Sequence, residues 1–175
     1  MIRLLPTCVA LVMLLACLSV AAQDQPASNH VGSLSEVRDK ERALLVVFKS
    51  RVVDANDRER AIIDDVLKAD PDSKRRYPRI YNQLAGKLNK YIRKHQSLSA
   101  ASNLAEADFV IFFNLVEYRR ILNAFYPYGE LFVIVKGSPQ DKKPPRIVWR
   151  AKKMLVATDA ISDLIKDLKT LRGEG

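Results

Sequence analysis

The side chains that most often carry catalysis are scarce in this 175-residue chain. It has two histidines, His30 in a polar stretch and His95 directly after Arg93 and Lys94, at the end of a predicted helix. A Ser-His-Asp site needs a histidine positioned as a base, whereas His95 fits better as a cation favoured by the carboxyl end of a helix. Both cysteines fall in the first 17 residues, and no glycine-rich phosphate loop occurs. We therefore predict no metal, no cofactor and no histidine- or cysteine-dependent catalysis.

Carboxylates are concentrated between residues 54 and 72. Paired carboxylates can act as a general acid and a general base, so a carboxylate-dependent hydrolase is one hypothesis. Lysines and arginines are interleaved with them, a pattern that favours solvated helix faces with ion pairs four residues apart. The carboxylates are Asp54, Asp57, Glu59, Asp64, Asp65, Asp70 and Asp72.

A basic stretch follows, interleaved with tyrosines. Its cations and aromatic rings are the residue types that bind anionic surfaces. The alternative is a solvent-exposed helix face, on which the aliphatic portions of lysine and arginine side chains cover apolar surface while their charges stay in water. The anion-binding candidates are Arg75, Arg76, Arg79, Lys87, Lys90, Arg93 and Lys94.

Residues 119–129 connect two predicted core strands and yet carry several large apolar and aromatic side chains. An exposed aromatic loop beside two arginines is a plausible contact site for a partner or a membrane surface. Alternatively, the strand runs longer and these residues cover the open end of the core. The partner-binding candidates are Arg119, Arg120, Phe125, Tyr126 and Tyr128.

The N-terminus has the pattern of a secretory signal peptide. Arg3 precedes an apolar run from Leu4 to Val20, and small residues lead to a polar start at Gln23. This pattern predicts cleavage after residue 22 and an extracytoplasmic, periplasmic or secreted protein with no transmembrane span. The segment ending at Cys17 also resembles a bacterial lipobox, which leaves lipid anchoring through that cysteine as the alternative. Residues 23–40 read as a flexible leader and 41–175 as a single domain.

The net charge of +9 indicates an anionic partner. For an exported domain, such partners are anionic lipid, lipopolysaccharide, wall polymer or an acidic envelope protein. In a cytoplasmic protein, a net charge of this sign and size usually indicates nucleic-acid binding. Because the chain carries an export signal, we do not expect nucleic acid here.

Apolar periodicity predicts the order β-α-α-β-β-β-α. Compact apolar runs at 43–48, 109–113 and 131–135 read as strands, and residues 146–153 alternate as a half-buried strand does. Stripes of helical spacing follow Asp57, cover 80–92 and follow Thr158. The first two strands should be parallel because a helical crossover joins them, and the last three should form an antiparallel meander. We predict an α+β two-layer sandwich, a mixed four-stranded sheet with the helices on one face.

Three short motifs within residues 43–172 resemble small bacterial envelope domains of the periplasmic or lipoprotein type. They are Glu106-Ala107-Asp108 before a strand, Gly129-Glu130-Leu131 opening the next, and Arg146-Ile147-Val148-Trp149 before the last helix. The resemblance implies a fold and a compartment, and no catalytic residue comes with it.

The first hypothesis is therefore a non-catalytic domain that binds an envelope protein or component. The second is a direct binder of anionic lipid, lipopolysaccharide or wall polymer through the basic helix.

Overall fold

The computed structural model describes residues 32–50, 58–68, 76–137 and 143–174. Within these ranges the three α-helices are α1 (Arg58–Lys68), α2 (Pro78–His95) and α3 (Ala157–Arg172). The strands are β1 (Arg42–Phe48), β2 (Ser99–Ala100), β3 (Phe109–Ile121), β4 (Ala124–Val135), β5 (Arg146–Arg150) and β6 (Leu155–Val156).

All six described strands form one mixed sheet in the order β2-β1-β3-β4-β5, with β6 paired to β4. β1 runs parallel to β3, with Ala43 opposite Phe109, while β3, β4 and β5 form an antiparallel meander. The α+β class, the mixed sheet and both pairing directions are therefore confirmed. The sheet has two more strands than predicted, because β2 and β6 are two residues long and too short to show a period.

The helices lie on both faces of the sheet, which differs from the predicted two-layer arrangement. Odd-numbered residues of β3, such as Ile111, pack in the same core cluster as α2 and α3. Even-numbered residues, such as Phe112, pack in a second cluster with Ile62 and Val66 of α1. Strands buried on both sides are continuously apolar instead of alternating. The unbroken runs 43–48 and 109–113 carry this pattern.

The end of the predicted flexible leader is packed against the domain, which corrects the prediction for residues 32–40. Ser33 caps a 3-10 helix, Leu34–Val37, and Glu36 completes a capping box. Val37 is fully buried, and Glu36 forms an ion pair with Arg146 of β5. The Ser33-x-x-Glu36 spacing is the sequence signal for this element.

The hairpin of β3 and β4 extends beyond the rest of the sheet. Residues 109–115 of β3 are buried, whereas 117–121 are exposed. The change falls at a β-bulge, where β3 advances from Leu115 to Glu117 while β4 advances only from Gly129 to Tyr128. The outer part of this hairpin, residues 117–128, is called the ribbon below.

Candidate binding surface

The end of the ribbon exposes large apolar side chains. Leu122 is 89% exposed, Phe125 is 64% exposed and Ile121 is also exposed. Leu122 has a φ of 55°, in the left-handed region that glycine and asparagine adopt more readily than leucine. The predicted loop 119–129 is therefore a continuation of both strands around a tight turn at residues 122 and 123. The strand runs longer, as the alternative held, yet its end is exposed.

The bulge decides which ribbon side chains lie on the α2 side of the sheet. One extra residue in β3 reverses its alternation, so that after Leu115 the even-numbered Tyr118 and Arg120 share this side. They lie opposite Pro127 and Phe125 of β4. Pro127 is buried, while Tyr118 is 53% exposed. This face of the ribbon therefore turns aromatic rings and one arginine toward the start of α2.

A cleft of about 150 Å³ separates this face of the ribbon from the first turns of α2. Arg79, Ile80 and Gln83 line it from the helix, and Tyr118, Phe125 and Tyr126 are among the ribbon residues that line the other side. The structure thus brings together one anion-binding candidate, Arg79, and two partner-binding candidates. These groups are about 40 residues apart in the chain, and nothing in the sequence pattern indicates their contact.

The other face of the ribbon carries Arg119 and Tyr128. By strand alternation Tyr126 also belongs to this face, although part of it borders the cleft. The Arg119 guanidinium stacks 3.7 Å from the centre of the Tyr128 ring and forms an ion pair with Glu117. The hydrogen bond to Glu117 raises the pKa of Arg119 above its usual value. Arg120 donates from Nε to the Leu122 carbonyl at 3.2 Å. Both arginines thus remain near the apolar end of the ribbon, held by local contacts.

The remaining basic candidates do not form one surface. Lys87 donates to the carbonyl of Thr158 at 3.0 Å and to Ser162 at 2.6 Å, which joins α2 to α3. Lys94 lies 15 residues beyond Arg79, about 22 Å along the helix. Arg76, Lys90 and Arg93 are exposed, while Arg75 and Cys17 lie outside the described residues. Of the basic stretch in α2, therefore, only the residues at the start of the helix share a surface with the ribbon.

One carboxylate of the acidic cluster, Asp65, and a separate ion pair outside the cluster connect α1 to the sheet. Ser50 donates its hydroxyl to Asp65 at 2.8 Å, and Arg58 forms an ion pair with Glu130. Glu130 also accepts from the amide of Asn114, a polar side chain that is only 6% exposed. Asp54, Asp57, Asp70 and Asp72 lie outside the described residues. Among the residues the structure places, no three histidine, cysteine or acidic side chains are grouped to hold a metal ion.

A second polar cluster lies at the carboxyl ends of α2 and α3. Tyr91 donates its hydroxyl to Glu174 at 2.6 Å, and His95 Nδ1 lies 3.5 Å from the same carboxylate. Burial, followed by the bond to Glu174, raises the pKa of Tyr91 to about 12. Burial also acts to raise the pKa of Glu174, but the hydrogen bond from Tyr91, the nearby Ser97 hydroxyl and the charge of Arg172 outweigh it and lower the pKa overall. His95 is thus at the helix end, beside a carboxylate.

Arg172 gives this second cluster a structural role. Its guanidinium donates to the carbonyls of Val37, Lys40 and Ser97 at 2.9, 2.6 and 2.5 Å. Two segments distant in the chain, residues 37–40 and the turn at Ser97, are therefore tied to the end of α3. The open depression beside it is lined mainly by charged and polar residues.

Comparison with known proteins supplies no identity: no family model, curated protein or solved structure matches the chain. The resemblance to small bacterial envelope domains therefore stays a prediction. Across the described part of the chain, no helix is both long enough and apolar enough to cross a bilayer.

Proposed function

We propose that this protein is a non-catalytic, extracytoplasmic domain that binds a component of the bacterial envelope. Its contact surface is the ribbon together with the start of α2. The observation that carries the proposal is the exposure of Leu122 and Phe125 at the end of a hairpin that projects from an otherwise covered sheet. Exposed apolar groups on both strands of one hairpin suit an interaction site, since their exposure brings no stability to the isolated domain.

The non-catalytic part of the proposal is supported by the contacts of three carboxylates, each of which holds elements of the fold together. Asp65 and Glu130 join α1 to the sheet, and Glu174 joins the ends of α2 and α3. Their hydrogen bonds therefore have structural explanations. A hydrolase would instead need a carboxylate pair directed at a substrate cleft.

The location is supported by the signal-peptide pattern of residues 1–22. Cleavage there gives a chain that begins at Gln23, and the alternative, lipidation, gives one that begins at Cys17. In either case the contact surface, which lies after residue 75, is retained. Every buried core residue of the described chain lies between Val37 and Leu168, so both processed forms also keep this core.

The test is site-specific photo-cross-linking in the cell that makes the protein. A photoreactive residue replaces Leu122 in one strain and, as a matched control, Ala105 in another; Ala105 is exposed in the loop at the opposite end of β3. We expect an adduct from position 122 and none from position 105. Equal labelling at the two positions, or none at 122, contradicts a contact role for the ribbon.

The intact mass of the same protein reports how it is processed. A species beginning at Gln23 supports a free extracytoplasmic domain, and one beginning at a lipidated Cys17 supports a tethered domain. A full-length chain that retains residues 1–22 in the cytoplasm contradicts the proposed location.

A further inference from the structure

The end of the ribbon has the layered chemistry of a segment that enters a lipid surface. Leu122 is at the turn, Ile121 and Phe125 lie next to it, and arginines and tyrosines follow immediately below. In a bilayer, apolar groups favour the acyl region, while tyrosine rings and basic side chains favour the headgroups. The order from apex to base therefore matches the order of a membrane interface from inside to outside.

The residue at the apex is unusual for a turn. A leucine with a φ of 55° is in the left-handed region, where Cβ crowds the following carbonyl oxygen, and asparagine or glycine would adopt this conformation at a lower cost in free energy. This leucine is also 89% exposed, so it gains little from packing within the domain. A costly choice without a folding benefit points to a role outside folding.

The apolar groups surround the end of the ribbon instead of forming one flat patch. Ile121 pairs with Ala124 on one face, and Phe125 pairs with Arg120 on the other. A protein partner is bound by a patch on one side, with an apolar centre and a polar rim. The end of the ribbon, which is apolar on both faces, therefore fits insertion into the acyl region of a bilayer better than binding to a protein surface.

The basic side chains near the end of the ribbon favour an anionic surface. Arg119 and Arg120 are on the ribbon itself, Arg79 lines the adjoining cleft and Arg76 is exposed at the start of α2. In the described part of the ribbon, Glu117 is the one acidic side chain, and it is already paired with Arg119. The whole chain carries a net charge of +9. Lipid phosphate is the headgroup chemistry that complements this arrangement.

We propose that the ribbon inserts Leu122 and Phe125 into an anionic phospholipid bilayer while its arginines and Arg79 bind lipid phosphates. This inference rests on the proposed function and names the envelope component. It predicts binding that requires both the apolar apex and negative headgroups, and that weakens as salt screens the charges.

The test uses the chain from Gln23 onward, which keeps all described residues and removes the apolar N-terminal segment. Flotation compares vesicles of pure phosphatidylcholine with vesicles containing phosphatidylglycerol. We expect binding to the second only, and about a tenfold or greater loss of affinity for Leu122→Asn. Asparagine accepts positive φ, so this variant should fold at least as stably as the parent, and a loss of binding is then not a loss of fold. Met154→Asn, at an exposed apolar residue outside the ribbon, is the control and should bind normally.

Insertion is separated from surface adhesion by a tryptophan reporter. The single tryptophan, Trp149, is replaced by phenylalanine and a new one is placed at position 122. Quenching of this reporter by lipids brominated in the acyl chain supports insertion. Binding without quenching, equal binding to neutral vesicles, or full binding by Leu122→Asn each overturns the inference. If position 122 instead cross-links a protein in cells and no vesicle binding occurs, the proposed function stands and the lipid inference fails.

Discussion

Gly129 shows how one small residue determines the geometry of the hairpin. It lies opposite Leu115, directly beside the bulge that reverses the alternation of β3. A Cβ at this position would overlap the carbonyl oxygen of Asn114 and lie 3.0 Å from the Phe113 ring. The close approach of the two backbones therefore requires a residue without a side chain.

We expect Gly129→Ala to lower the free energy of unfolding by about 2 kcal/mol, because the added methyl group meets backbone that cannot move away. Gly86→Ala is the matched control. Gly86 is exposed in α2, and a Cβ added there would have no heavy atom within 4 Å, so alanine should raise stability by about 0.5–1 kcal/mol. Urea denaturation of both variants is the measurement, and equal effects of the two would contradict a packing role for Gly129.

The hairpin of β3 and β4 has two parts with different environments. Its inner part is buried on both faces between α1 and the pair α2 and α3. Its outer part, the ribbon, is mostly exposed, although Pro127 is buried on the α2 side. Cross-strand pairing continues through both parts, from Phe109 and Val135 to Ile121 and Ala124. Local stability should therefore fall along one continuous element, with the change at the bulge.

We expect backbone amides of residues 117–126 to exchange with deuterium faster than those of 109–115, because solvent reaches the outer hydrogen bonds without global unfolding. Hydrogen exchange followed by proteolysis and mass spectrometry resolves the two segments. Leu122→Asn should leave the inner segment unchanged. Uniform protection along the whole of β3 would show instead that the ribbon is packed in solution.

Over the described residues as a whole, ion pairs and polar clusters connect the segments outside the sheet to its strands. The bond to Arg146 lowers the pKa of Glu36 below its usual value. Burial alone would raise the pKa of Asp108, but hydrogen bonds from the backbone of Arg42 and Glu41 outweigh it and lower the value. Carboxyls with lowered pKa values stabilise the fold above their unfolded pKa and lose this contribution as the pH falls. Acid should therefore release the connections at several sites together.

Alkaline pH should act on Tyr91. Its pKa is raised to about 12 in the folded state, so above an ordinary pKa of about 10 the unfolded chain ionises first. The stability contributed by this residue is complete below pH of about 10 and is lost as the pH rises toward 12. We expect Tyr91→Phe to reduce the decline in unfolding free energy over this window, measured by urea denaturation at several pH values. A decline identical to that of the parent would contradict the assignment.

Local patterns in the chain were enough to predict the α+β class and the parallel and antiparallel pairings. They also singled out residues 119–129 as unusually aromatic for a connection. Those features follow from periodicity and from the length of the connections, which a single sequence displays directly. Two others became visible in the folded molecule alone: α1 covers the opposite face from α2 and α3, and Arg79 shares a cleft with Tyr118. The second depends on register, since one extra residue at the bulge moves Tyr118 and Arg120 to the side of α2. Register arises from pairing between distant segments, and no local pattern encodes it.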